Sequence, residues 1–487
     1  MNSLKIIFSS LFVSVLYVLP WISYAQPITS TQPTEATISS SVDDEDAPIK
    51  IESKEGYTIY DLSTAIKKSL EVSPSVESAM YDKAASSAQL QEAKAASFLP
   101  LVDLKVLGGY APDVPEGSGP EGGFPDVEFS WDHLGPFMQL RLEAFQPIYT
   151  FGKISNLRKA ARLGVEAKDE GIQKARNELV LHVKRAYIGL ASLYSFREFV
   201  SELQTRSGKA KEIVEKQIQK KSSEVTNIDL LRVQVFEAEA ERRLVEINNN
   251  IDFVRMTLKI LMGLPRDAKI DIAEQRLRMD DTLLDPVETY LQIAQQNRPE
   301  ITQLKDLVGI REAIMKGTQA GFYPSFGLGG FYRYGYAPDR ESVNNPFLVD
   351  DFNQNAGGAF LGLSQSLSFH LTNSRYKQAK ALYEKARADE QRGLQGIEIE
   401  IRKSHTNAIA KQQAVESAKR GYKIGRSLVL ATTLNFGIGV GPPKDLVEAF
   451  VAYSTVRINF LQTLNDYYMA LAELTNAVGK EVTNLQY

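Results

Sequence analysis

The side chains most often used for catalysis and metal binding are sparse and scattered in this sequence. A Gly-x-Gly-x-Gly segment at 437–441 resembles a nucleotide-binding loop only superficially, because it follows a predicted helix and lacks the Gly-Lys-Ser/Thr ending. No nucleophile-base set is visible. None of the histidines has a second metal ligand at helical spacing, and they are His133, His182, His370 and His405. We therefore predict a protein that is not an enzyme and uses no cofactor and no metal.

Charged side chains instead alternate with apolar ones in short segments. Asp103 and Lys105 alternate with Val102, Leu104 and Val106, a period of two that is typical of a β-strand with one polar and one apolar face. The same alternation predicts strands at about 137–145, in the segment 322–339, and at 357–369. These strands form two hairpins with long loops, at 99–147 and 324–370.

Two of these strand segments are copies of each other. Residues 98–113 and 322–339 both begin with Phe-x-Pro and both end on Gly-Tyr-Ala-Pro-Asp. Copies separated by nearly half the chain indicate an internal duplication. The order helix, β-hairpin and helical hairpin is accordingly predicted twice, in a first repeat at 57–283 and a second repeat at 284–487.

Long helices follow each predicted β-hairpin. Residues 153–264 contain no Pro, and apolar residues from Leu179 to Leu190 recur at helical spacing. We predict a turn near 221–224 and a returning helix at 228–262. A second rod at 371–435, a Gly/Pro turn at 436–445 and a final helix ending near Gly479 repeat this plan. The two predicted helical hairpins therefore span 153–262 and 372–479.

The N-terminal segment predicts export. An apolar run at 6–19 follows a Lys, and Ser23-Tyr24-Ala25 offers small residues for cleavage, so residues 1–25 are predicted to be a signal peptide. The run is shorter than the roughly 20 residues of a membrane-spanning helix, which disfavours an anchor. Residues 26–56 are rich in Ser, Thr, Pro and acidic residues, which predicts a flexible tether. The sequence has no Cys, and its net charge of −4 gives no indication of nucleic-acid binding.

Four strands of about ten residues each are long enough to cross a membrane when tilted, yet too few to close a barrel. Several chains would have to contribute strands, because open sheet edges do not persist in lipid. The alternative is an ordinary sheet in a soluble protein. The aromatic cluster Tyr332, Tyr334 and Tyr336 on one face favours the membrane interface.

Three further segments carry a family resemblance. They are Asn-Arg-Pro-Glu at 297–300, PSFGLGGFYRYG at 324–335, and the closing run at 445–479. In these segments and in their order the chain resembles the TolC-like outer-membrane efflux protein family, over about residues 57–479. The resemblance implies a mixed α and β fold: a transmembrane β-barrel shared between the protomers of a homotrimer, and a long periplasmic α-helical coiled-coil tunnel. An equatorial belt around the tunnel would be formed by residues 57–73, residues 264–297 and the C-terminal tail.

The resemblance also implies a function. The chain would be the outer-membrane exit duct of a tripartite efflux pump or a type I secretion system in a Gram-negative bacterium. Its partners would be outer-membrane lipid, a periplasmic adaptor (membrane fusion) protein and an inner-membrane pump of the RND, ABC or MFS type. Drugs, metals and proteins are all open as substrates. The alternative is a non-conducting periplasmic coiled-coil scaffold or adhesin.

Functional positions follow from the same resemblance. A periplasmic gate would involve Phe436, Asp445, Glu448 and Asp229, although Asp445 could equally stabilise a helix start and Asp229 could be a surface acid. Gly441 stands where a basic gate residue often lies. The polar strand faces would line the pore, and their mixed charges argue against tight ion selectivity; they include Asp103, Lys105, Gln139, Arg141, Glu143 and Arg333. Adaptor docking, or simply chain reversal, would fall on Ser222, Ser223, Val225, Gly437, Gly439, Val440 and Gly441.

Overall fold

The segment predicted as the first repeat contains both strands and helices. In the computed structural model, the described residues are 56–112, 134–219, 225–278, 283–340, 350–438 and 440–482, within one compact unit, Ser53–Tyr487. The predicted signal peptide and nearly all of the predicted tether lie outside them. The elements of the first repeat are β1 (Thr58–Tyr60), α1 (Leu62–Val72), α2 (Pro74–Phe98), β2 (Leu101–Pro112), β3 (Leu134–Tyr149), α3 (Lys153–Gln219), α4 (Asn227–Leu261) and β4 (Ile270–Ile272).

The second repeat follows the same order. Its elements are α5 (Val287–Asn297), α6 (Pro299–Gln319), β5 (Ser325–Tyr336), β6 (Gln354–Ser364), α7 (Phe369–Gly437) and α8 (Pro443–Val478). Proline stands in the first turn of two of these helices, α6 and α8, because its missing N–H is no loss there. The predicted mixed fold of two β-hairpins and long helical hairpins is confirmed.

Strands β2, β3, β5 and β6 form one four-stranded antiparallel sheet in that order. The two duplicated strands β2 and β5 both pair with β3, so the sheet joins the two repeats. The prediction for the end of β6 was wrong, because Phe369 is the first residue of α7 rather than the last of a strand. The chain leaves the sheet after Ser364, and the N–H of Leu371 already donates to the carbonyl of Ser368 in the first helical turn.

The long helices pair as two antiparallel hairpins, α3 with α4 and α7 with α8. Helices α3 and α7 have 67 and 69 residues, which corresponds to about 100 Å each. Two apolar clusters lie along them. One surrounds Tyr187 and Tyr467, and the other surrounds Tyr422 and Phe450 nearer the hairpin turns. The helical hairpins therefore carry their own core within one chain.

Arg298 connects the start of the second repeat to the end of the chain. Its buried guanidinium donates to the Ala477 carbonyl at 3.0 Å and pairs with Glu400 at 2.6 Å and Glu300 at 3.2 Å. Gly479 closes α8 with φ +77°, and a Cβ there would stand 2.9 Å from the Asn297 carbonyl oxygen. The Asn-Arg-Pro-Glu segment thus joins four helices, α5, α6, α7 and α8.

A two-stranded parallel pairing of β1 with β4 was not predicted. Ile270 and Ile272 of β4 are buried, and Asp271 accepts a hydrogen bond from the Tyr194 hydroxyl. Burial and the contact with Asp271 raise the pKa of Tyr194, while Arg255 donates to the same hydroxyl at 2.9 Å. Strands of three residues are too short to show a period, which is why the sequence pattern missed them.

Candidate functional site

The first candidate surface is the apolar face of the four-stranded sheet. Leu104, Leu142 and Tyr332 stand in direct register on three adjacent strands, and all three side chains are more than one-third exposed. The face is contiguous, and its exposed members are Val102, Leu104, Val106, Tyr110, Met138, Leu142, Phe326, Leu328, Tyr332, Tyr336, Leu361 and Leu363. Exposed apolar patches of this extent mark surfaces that meet a membrane or another protein.

The opposite face carries all six residues that we predicted to line a pore. Lys105, Arg141 and Arg333 are aligned as one cross-strand row on β2, β3 and β5. The neighbouring row, one step nearer the helices, pairs Asp103 with Glu143. The structure therefore brings these residues together on one surface, and it sorts their charges into separate rows.

Gln139 occupies the next row towards the loops, where its amide donates to the Asp351 carbonyl at 2.8 Å. It thereby ties β3 to the segment that leads into β6. Gln139 pairs in register with Leu107 on one side and Gly335 on the other.

Aromatic rings and glycines interlock on this polar face nearer the helices. Gly329 lies between Phe145 of β3 and Phe360 of β6 in register, and a Cβ on Gly329 would overlap the Phe360 ring. Similarly, a Cβ on Gly358 would approach the Phe331 ring to 3.1 Å. The glycines leave room for rings to lie flat across the sheet. The sequence hinted at this only through its unusual density of Gly and Phe in β5 and β6.

Arg340 stabilises the loop end of the sheet, a role that no sequence pattern indicates. Its guanidinium pairs with Asp350 at 3.3 Å, stacks over the Phe352 ring and donates to the Pro112 carbonyl. Asn353 adds hydrogen bonds to both backbone polar groups of Ala337. Pro112 and Ala337 belong to the two copies of the Gly-Tyr-Ala-Pro-Asp segment. The contacts of Arg340 and Asn353 therefore hold the loop ends of both β-hairpins together.

The second candidate surface is the turn between α7 and α8. Asp445 is exposed in the first turn of α8, and Glu448 one turn later pairs with Lys444 at 3.6 Å. Phe436 is only 4% exposed and belongs to the apolar cluster near the turns, so within one chain it supports the turn. Glu448 and Asp445 are the predicted gate residues that this chain leaves accessible.

Apolar and small residues are displayed at the same turn. Val440 is 73% exposed, its neighbour Ile438 equally so, and Gly441 is partly buried. A Cβ on Gly437 would meet nothing within 4 Å, so no contact within the chain requires glycine there. Gly439 lies outside the described residues.

The turn between α3 and α4 is organised differently. Asp229 is 7% exposed and forms a capping box with Thr226, whose backbone N–H donates to the Asp229 carboxylate at 3.0 Å. Partial burial opposes ionisation of Asp229, but the Thr226 hydrogen bonds and the nearby Arg232 outweigh it and lower its pKa. Asp229 is therefore a helix cap rather than an exposed acid. Val225 is also buried, and Ser222 and Ser223 lie outside the described residues.

Within the described residues, no three His, Asp or Glu side chains converge to hold a metal ion. His405 binds the Asp285 carbonyl through its Nε2 at 2.9 Å and packs against Tyr290, while His133 lies outside the described residues. No described helix combines the length and the apolar character that a membrane span requires.

Comparison with known proteins finds similarity to outer-membrane proteins. The family model described as outer membrane efflux protein matches residues 290–480, from within α5 to just beyond the end of α8. The alkaline protease secretion protein AprF of Pseudomonas aeruginosa is 23% identical over 340 residues, covering 69% of this chain and 68% of that protein.

Solved structures share the fold at low identity. The outer-membrane channel OprN superposes with a TM-score of 0.71 at 16% identity, covering 93% of this chain and 98% of OprN. The Campylobacter jejuni CmeC outer membrane channel gives a TM-score of 0.70 at 16% identity, covering 94% of this chain and 96% of CmeC. The comparisons thus agree with the architecture described above.

Proposed function

We propose that this chain, whose residues 290–480 match the outer membrane efflux protein family model, is a passive exit duct in the outer membrane of a Gram-negative bacterium. Three copies would assemble as a homotrimer and carry substrates from the periplasm, or from an inner-membrane pump, to the outside. The duct itself would supply no energy and perform no catalysis.

The observation that carries this proposal is the two-faced sheet. Its apolar face exposes Leu104 and Leu361, while its polar face exposes Lys105 and Arg141. Its outer strands β2 and β6 each lack a second partner strand among the described residues. Membrane lipid would cover the apolar face, and water in a lumen would solvate the polar face. Pairing of β2 with β6 of a neighbouring protomer would provide hydrogen-bond partners for the backbone groups at the two open edges.

The helical hairpins would form the periplasmic tunnel, with their turns at its far end. We propose Asp445 and Glu448 as the lumen-facing acids of the closed aperture, since both are exposed at the same turn. Buried Phe436 and the helix cap Asp229 would act indirectly, by fixing the shape of the two turns.

The same turn is our proposed docking surface for a periplasmic adaptor protein. Exposed Ile438 and Val440 offer apolar contact, and Gly437 permits close approach of another backbone. Gly441 and the neighbouring Gly439 complete this segment. The partner pump could be of the RND, ABC or MFS type, and the resemblance to a protein named for alkaline protease secretion makes protein export the first substrate class to test.

Detergent extraction followed by single-channel recording in a planar lipid bilayer tests the duct. We expect a trimer that co-fractionates with outer membranes and forms long-lived conducting channels. A water-soluble product that never conducts would contradict the duct and would favour the scaffold or adhesin. Crosslinking in cells at Val440, followed by identification of the captured proteins, tests adaptor docking. The matched control is crosslinking at exposed Tyr81 of α2, which should not capture the adaptor.

A further inference from the structure

The charged residues on the polar sheet face are sorted by sign. Lys105 on β2 pairs in register with Arg141 on β3, which pairs with Arg333 on β5, so three cations occupy one row across three adjacent strands. At about 4.8 Å between strands, the row is about 10 Å long. We call Lys105, Arg141 and Arg333 the cationic row. The residue in register on β6 is Ala356, so the row ends there.

The described part of the chain supplies no counter-ion to the cationic row. All three side chains are exposed, and among the described residues none of them has a carboxylate within 4.0 Å. The nearest acids in register, Asp103 and Glu143, face each other in the adjacent row. The guanidinium of Arg333 lies over the Phe331 ring at 5.1 Å.

Such an arrangement opposes sheet stability. Like charges directly opposite each other on neighbouring strands are destabilising, and pairing each cation with an acid across the strands would remove that cost. The chain has the acids for this on the same face and places them one row away. An external anion would compensate the row, since two guanidinium forks and one ammonium match multivalent carboxylate or phosphate.

We propose that the cationic row is a binding site for multivalent oxyanions on substrates that pass through the sheet region. The proposal rests on the function proposed above, because only a duct places the polar face along the substrate path. In a trimer, three copies of the row lie at one height around the axis. Anionic groups entering from the acidic Asp103–Glu143 side meet the row before they leave towards the loops.

The test is block of single-channel current by tripolyphosphate added on the loop side of the bilayer. We expect concentration-dependent block of the unmodified trimer. In the variant Lys105→Gln/Arg141→Gln/Arg333→Gln, we expect the blocking concentration to rise by about tenfold or more, as for loss of at least one charge-assisted hydrogen bond. Poly-glutamate in a parallel arm distinguishes carboxylate from phosphate, and block by either probe supports the site.

Asp103→Asn/Glu143→Gln is the matched control, because it neutralises the neighbouring row on the same face. It should leave block unchanged or strengthen it. Conduction without block by either probe, or equal block of the unmodified trimer and the triple Gln variant, would overturn the cationic row and leave the duct intact. Absence of conduction by the unmodified trimer would instead overturn the duct, and with it this site.

Discussion

The sheet and the helical hairpins differ in where their apolar side chains lie. The hairpins bury theirs inside one chain, around Tyr187, Tyr467 and Phe450. The sheet buries few, and it exposes apolar residues on one face and charged residues on the other. The hairpins are therefore stabilised within the protomer, whereas the stability of the sheet depends on what surrounds it.

The largest effect is expected from a charge on the apolar sheet face. Leu104→Arg should prevent accumulation of trimer in the outer membrane, because an Arg on the lipid face of a β-barrel costs about 2–4 kcal/mol at mid-membrane in each copy. The measurement is the yield of trimer in outer-membrane fractions.

Leu107→Arg is the matched control for that substitution. Leu107 lies on the same strand but on the polar face, and it is 56% exposed compared with 59% for Leu104. We expect normal trimer yield from it. Equal loss from both substitutions would remove the distinction between the two sheet faces.

A smaller loss is expected from the internal junction of the helices. Arg298→Ala removes the hydrogen bond to the Ala477 carbonyl and the ion pair with Glu400, and we expect about 2–3 kcal/mol of destabilisation. Hydrogen exchange at the end of α8 should increase. Arg402→Ala removes a surface pair with Glu398 and should cost less than about 1 kcal/mol. If the two variants behaved alike, Arg298 would have no special structural role.

Loss of the cap at the first turn should act locally. Asp229→Ala should increase amide exchange at 226–232 by an amount equivalent to about 0.5–2 kcal/mol, whereas exposed Glu241→Ala on the same helix should not. Because folding lowers the pKa of Asp229, its stabilisation is fully present above the unfolded value of about 3.9 and is lost as the pH falls through the lower folded-state pKa. The exchange difference should therefore narrow in acid, and a difference independent of pH would contradict an ionised cap.

The smallest effect on stability, but a measurable one on transport, is expected at the second turn. Asp445→Ala combined with Glu448→Ala should raise single-channel conductance or reduce cation preference, because it removes the exposed acids of the proposed aperture. Lys444→Ala removes only the partner of Glu448 and serves as the control. Unchanged conductance and unchanged ion preference in the double variant would dismiss both acids as gate residues.

Local patterns sufficed for most elements but not for their pairing. The alternation at Asp103 and Lys105 predicted a strand and its two faces from neighbouring residues alone. The cationic row depends on β3 pairing with β5, which joins Arg141 to a residue 192 positions away. No local period encodes such a register. The sequence therefore shows only that both charge signs occur on these strands, and not that the cations and the acids lie in separate rows.

The candidate site shows the same limit at single residues. Asp445 falls at a helix start in both sequence and structure, since Pro443 and the Gly/Pro turn fix that position locally. The burial of Phe436 depends on packing between the two hairpins, which no local pattern encodes. Asp229 instead caps its helix through Thr226, three residues before it, and that local spacing is visible in the sequence. Arg340 was missed because its partners, Pro112 and Asp350, come from different repeats.

The pairing of β3 with β5, which joins the two halves of the chain, has a consequence for the evolutionary origin of the protein. We call this pairing a joint. If three chains close a ring, β6 of one chain meets β2 of the next, and this joint is the counterpart of the one between β3 and β5 inside each chain. A half-length ancestor with one β-hairpin and one helical hairpin would then have closed as a sixfold ring through a single kind of joint. Gene fusion would turn every second joint into a covalently tethered one, free to diverge from its twin. The two joints now differ in this way: the joint within the chain places Arg141 beside Arg333, whereas the joint between chains involves the glycine-rich strand β6. Divergence after such a fusion would produce this difference.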